Sequence, residues 1–256
     1  MNFYTNPLRI AWVLCLTLIA VNFSLVFSPP SVLIEITQED GIIENGSAIF
    51  LLVAAIVFFV AYVKSKTIRT HGEEKRGRNL FFLLLGLFFF VCMGEEISWG
   101  QRIFNVETPD ILVNLNYQEE INLHNFRIFE GKNPDGSQKG GLSAVFTSHR
   151  IFYMLILAWT LLIPVTYKFV PKIRQFLLRI HFPVHPIKIG ILALSILIFA
   201  RLLKVVMQNP SEDFNHGIVE IAELNLAVVI AYAGFYWLWH TVRQGREEKA
   251  EITFDA

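Results

Sequence analysis

The chain has 256 residues, of which 54% are hydrophobic, 14% aromatic and only 17% charged, with a mean hydropathy of +0.47. That is too apolar for an ordinary water-soluble domain, so a lipid bilayer is the expected solvent. The 22 basic and 22 acidic residues cancel, which leaves no net field to gather nucleic acid, and no nucleic-acid partner is expected.

A helix needs about 20 mostly apolar residues to cross the hydrocarbon core. Six runs meet that need, at approximately 8–27, 47–63, 79–98, 151–170, 187–207 and 217–242. The first follows Arg9 as a signal peptide would, but its apolar stretch is long and Ser28-Pro29-Pro30 offers no small-x-small cleavage site, so it reads as a true span. Cys15 lacks the small residues that precede a lipidated cysteine and Cys92 falls inside the third run, so both read as apolar packing residues. The run 80–90 is apolar on every face, as a lipid-embedded helix can be, whereas a barrel strand would alternate. Between the third and fourth runs lies a long segment, 105–148, whose stretch 131–141 is rich in Gly, Asn, Asp and Lys with one Pro and reads as a flexible loop. The expected fold is therefore all-α: one membrane domain over 1–256, built as a bundle of six transmembrane helices.

The distribution of Lys and Arg orients it. Lys64, Lys66, Arg69, Lys75, Arg76 and Arg78 lie between runs two and three, and Lys168, Lys172, Arg174, Arg179 and Lys188 between runs four and five. The link 28–46 has no Lys or Arg but carries Glu35, Glu39, Asp40 and Glu44, and 208–216 carries only Glu212 and Asp213. By the positive-inside rule the basic links and both termini are cytoplasmic, and the segment 105–148 faces outward. Such an arrangement fits the inner (plasma) membrane.

This orientation brings the unusual polar residues to one leaflet. Glu95 and Glu96 fall roughly 22 Å along their helix from Leu80, which puts them near the outer interface. Glu95, Ser98 and Arg102 stand at i, i+3 and i+7 and would share a face if the helix continues, with Gln101 and Trp99 beside them. His216, Glu220 and Glu223 stand at i, i+4 and i+7 at the outer start of run six. Glu120 and His124 are also four apart, which pairs them if that stretch is helical. Arg201 lies near the outer end of run five, and His149 opens run four from the same side. A charged residue inside a span costs roughly 2.5–3.5 kcal/mol even on the insertion scale, so Glu220 and Glu223 call for partners, with Arg102 and Arg201 as candidate counterions.

Carboxylates and imidazoles at this spacing suit mixed oxygen and nitrogen coordination of zinc, manganese or iron. The chain lacks a Gly-rich phosphate loop, an HExxH pair, a CxxC pair and a Gly-x-Ser-x-Gly elbow. The expectation is a membrane enzyme, a metal-assisted hydrolase or transferase acting on a lipid or membrane-embedded substrate. Its catalytic set would be Glu95, Glu96, Ser98, Gln101, Arg102 and Arg201. His124, His216, Glu220 and Glu223 would hold a divalent metal such as zinc. A proton-coupled transporter using the same carboxylates as a relay, or a non-catalytic membrane partner or sensor, are the alternatives.

Paired glutamates on a membrane helix, then a Phe and His, then a His-x-x-x-Asn/Asp element, resemble in outline the CAAX-processing and Abi-type intramembrane proteases. The comparable residues are Glu95-Glu96, Phe146 with His149, and His216 with Glu220. The pattern departs from that family in three places. Arg102 is six residues after Glu96 rather than four, the Phe-to-His spacing is one short, and Glu220 replaces the usual residue; the cytoplasmic site of that family is also opposite to the outward one expected here. No membership is assigned.

Overall fold

The computed structural model describes residues 6–65, 67–70, 73–129, 137, 139–140, 146–209 and 211–254. Its helices are α1 Pro7–Ser24, α2 Pro30–Thr37, α3 Ile42–Lys64, α4 Leu80–Glu96, α5 Gln101–Phe104, α6 Asp110–Leu115, α7 Ser148–Phe169, α8 Pro171–Arg179, α9 Ile187–Met207 and α10 Glu212–Phe254. A small antiparallel pair, β1 Thr67–Thr70 and β2 Glu73–Arg76, joins α3 to α4. Among the described residues, five helices are long and apolar enough to cross a membrane, or six when α4 is counted together with the bent segment Ser98–Phe104. The 131–141 stretch expected to be a flexible loop lies largely outside the described residues.

Local chemistry explains where the helices begin. Asn6 caps α1 by accepting from the Leu8 amide at 3.1 Å, with Pro7 in the first turn, and Asn79 caps α4 by accepting from the Phe81 amide at 3.0 Å. A side-chain acceptor there satisfies an amide that has no partner inside the helix. In α7 the turn Ala158–Leu162 widens to a π-helix. Gly190 of α9 packs against it so closely that an added Cβ would fall 2.6 Å from the Leu161 Cα. Small residues permit such close helix approach where lipid offers no hydrophobic drive for association.

The bundle is organised around α10, whose stretch from Leu224 to Ile230 is buried on every face. It packs against α1, α2, α3 and α9, while α3 packs against α4. Phe58 of α3, Phe82 and Phe89 of α4 and Trp159 of α7 form an aromatic centre, with Phe58 stacked on Phe82 and Phe89 and Trp159 set edge-on or tilted, at centroid distances of 5.5–6.4 Å. At one end of the bundle Asn79 donates to the His181 carbonyl at 2.8 Å, and Lys188 sits over the Trp12 ring at 4.6 Å. The acidic 28–41 link, the 98–129 segment and the first turns of α7 and α10 gather at the opposite end.

Candidate functional site

Glu95 and Glu96, the last two residues of α4, are half-buried neighbours that face in different directions, because adjacent positions on a helix differ by about 100°. Glu96 lies on the same side as Phe82 and Phe89 and points into the bundle. There its carboxylate meets those of Glu220 and Glu223 from α10, with one oxygen of each lying within 4.8 Å of the others. Glu223 accepts a hydrogen bond from the Tyr153 hydroxyl at 2.6 Å and pairs with His149 Nδ1 at 2.7 Å. His216 Nε2 stands 3.5 Å from Glu220, one turn along α10. Two imidazoles face these carboxylates, His149 at Glu223 and His216 at Glu220.

Glu95 turns instead toward the segment after the helix. Its carboxylate accepts the Trp99 indole N–H at 2.8 Å and the backbone N–H groups of Leu123 and His124 at 2.6 and 3.1 Å. His124 Nδ1 lies 3.7 Å from the same carboxylate. Beyond Glu96 the chain bends by 69°, and Ser98, Trp99 and Gly100 take positive φ values of 45°, 55° and 75° in succession. For two of these, residues other than glycine, that region is sterically costly and persists only where surrounding contacts hold it.

Those contacts come from a buried polar network. Ser98 donates to Glu120 at 2.7 Å, and Asn122 donates to Glu120 at 2.6 Å and to Ser98 at 2.8 Å. Buried Asn116 donates to the Glu120 and Asn122 carbonyls at 3.0 and 2.9 Å. Arg102 pairs with Glu120, and also with Asp40 at 2.5 Å and Glu39 at 3.1 Å, tying this segment to the 28–41 link. Gln101 spans Thr108 at 2.5 Å and the Ile121 amide at 2.7 Å.

Three expectations are corrected here. The helix does not run through 95–102, so Glu95, Ser98 and Arg102 do not form one face; Ser98 and Arg102 meet instead on Glu120. The stretch holding Glu120 and His124 is irregular, with Glu119 at φ 59°, because Asn116, Asn122 and Asn125 use their side chains on nearby groups in place of a helix ladder. Arg102 is a counterion for Glu39, Asp40 and Glu120 rather than for Glu220 and Glu223. Arg201 is exposed and does not line the cavity described next.

A cavity of about 260 Å³ joins the two polar groups. Glu96, Glu220, Glu223 and His149 line its inner part, exposed His216 its rim, and Glu95, Arg102, Glu120, Asn122 and His124 its outer part. Ser98 and Gln101 support that wall from behind. Glu44 and Ser47 of α3, Tyr153 of α7 and Lys204 of α9 were not singled out from the sequence. Glu44 and Ser47 line the cavity, Tyr153 holds Glu223, and Lys204 lies on the same end of the bundle. Tyr153 stands four residues after His149, a helical spacing that carries a readable signal. Glu44 and Ser47 read as parts of a link and an apolar run, and only the packing of α3 against α4 and α10 brings them in.

The arrangement can hold a cation. Two like charges about 5 Å apart repel by about 3 kcal/mol at an effective dielectric of about 20, and three such pairs meet here. A divalent ion or shared protons relieve that repulsion. Compared with family models, with curated proteins and with solved structures, the chain shows no match.

Proposed function

We propose that the protein is a multi-pass enzyme of the inner (plasma) membrane, with both ends cytoplasmic and its site facing outward, which uses a divalent metal such as zinc to hydrolyse or transfer a group on a lipid or membrane-embedded substrate. The observation that carries this reading is the convergence of Glu96, Glu220 and Glu223 to within 4.8 Å inside an apolar bundle. Glu223 is oriented by His149 and Tyr153, the kind of outer-shell support that fixes a ligand's geometry and tunes its basicity. A metal held by the three carboxylates supplies an acidified water and polarises a carbonyl or phosphoryl oxygen. His216, exposed at the rim and 3.5 Å from Glu220, can take or return a proton there. The outer face follows from the charge rule, since the cavity is at the end opposite the basic links.

A proton relay would use the same carboxylates, but the face of α10 that carries His216, Glu220 and Glu223 continues as Ala227, and the stretch Leu226–Ile230 below is apolar. A pocket closed toward the cytoplasm suits a reaction at the membrane surface better than a through-path. The test is the metal content of the purified protein beside a Glu96→Gln, Glu220→Gln double variant. Near-stoichiometric metal in the wild type, lost in the variant, is the expected result; a wild type that stays metal-free after exposure to zinc, manganese or iron refutes the reading.

A further inference from the structure

The lipid-facing side of α4 is a stripe of Leu84, Leu87 and Val91, exposed by 57%, 47% and 43%, which spacing of i, i+3 and i+7 places in one line. Val91 also lines the cavity that holds the carboxylates. One residue thus belongs both to the surface that touches lipid and to the wall of the acidic site. Phe152 of α7 lines the same cavity. Deeper in the bundle α4 and α7 come together, with the Phe89 and Trp159 rings 5.5 Å apart. Among the described residues, both helices thus contribute to the wall of this cavity and meet below it at the aromatic centre.

The geometry points to lateral entry: an amphiphile from the leaflet on this side lays its alkyl chain in the cleft between Val91 and Phe152 and brings an oxygen-bearing head group to Glu96, Glu220 and Glu223. This rests on the reading of those carboxylates as the reacting centre. The size of the cavity supports it. About 260 Å³ lies below the roughly 300–1,000 Å³ of sites that enclose a whole drug-sized ligand, so it takes a head group and the start of a chain while the remainder stays in the bilayer. Its lining is graded to match, with Leu51, Val91, Cys92 and Ala227 about one turn deeper than the acidic groups. The segment covering the rim is itself apolar on its outside, with Ile103, Phe104, Ile111 and Ile128 exposed by 72–77%, as suits a segment resting in the interfacial layer rather than in water.

The test places a photoreactive benzoylphenylalanine at Phe152 in the full chain, reconstituted in vesicles of equal parts phosphatidylcholine and phosphatidylglycerol. A separate sample carries the same group at Val13, an exposed position on α1. Lipid adducts are expected at both. Val91→Trp, which fills the cleft, should abolish the adduct at Phe152 and leave that at Val13 unchanged; Val91→Phe is the smaller change, and the Val13 adduct reports correct insertion of either variant. A Phe152 adduct that persists in both variants, or its absence in the parent chain while Val13 reacts, overturns lateral entry. Metal measured on the same samples separates the two ideas: a metal-free parent whose Phe152 adduct is still lost in Val91→Trp overturns the metal reading alone and supports the entry route.

Discussion

Glu95 and Glu96 are chemically identical neighbours with opposite surroundings. Glu95 spends its lone pairs on two backbone N–H groups and an indole, and so holds the 98–129 segment in place. Glu96 is set among two more carboxylates on the bundle side. An oxygen surrounded by donors is satisfied and stabilises structure, whereas carboxylates facing one another repel, and a cation or shared protons relieve that repulsion. The difference teaches that a charge at the end of an apolar helix is informative only once its partners are known.

The largest expected effect tests that contrast directly. Glu223→Gln replaces a proposed anionic ligand by a neutral amide, which can still accept from Tyr153 but no longer carries the charge that pairs with His149, and should lower metal affinity by more than the roughly 10–100-fold typical of outer-shell changes. His149→Ala should fall within that range, and Glu95→Gln should retain the metal while exposing 99–129 to protease. Equal metal loss in Glu95→Gln and Glu223→Gln would erase the distinction.

A middle-sized effect is expected at Arg102. Glu120 is buried and Arg102 is its cationic partner, so Arg102→Ala leaves a carboxylate short of a partner, at about 1–3 kcal/mol of local stability. Hydrogen exchange at 116–126 should quicken by a corresponding amount, with the metal content unchanged. Unaltered exchange would show that the asparagine contacts alone hold this segment.

A pH-dependent effect is expected at the far end of the molecule. His185, before α9, is buried beside the edge of Trp159, with the rings 5.0 Å apart, and burial pushes its pKa from 6.5 down to about 4. Between those two values the unfolded chain binds a proton that the folded chain refuses, so stability rises with pH across this window and falls on acidification through it. The thermal midpoint in detergent should decline from pH 6.5 toward 4, and His185→Leu should flatten that slope. An unchanged slope in the variant would assign the acid sensitivity to other groups.

The sequence by itself determined that the chain is helical, with runs long and apolar enough to cross a membrane, and roughly where each run lies, because hydrocarbon thickness sets a length that any window reveals. It also brought the i, i+4, i+7 stripe of α10 into view, since helical periodicity is local. The break after Glu96 was not legible: Ser98 and Trp99 adopt left-handed backbone only because Glu95, Glu120 and Asn122 hold them, and those contacts span up to 24 residues. The pairing of Arg102 with Glu39 and Asp40, more than 60 residues away, was equally hidden. Only the tertiary structure decided which of two adjacent glutamates joined Glu220 and Glu223, because that choice depends on how α4 is rotated against α3 and α10, and rotation is set by packing of side chains from distant parts of the chain.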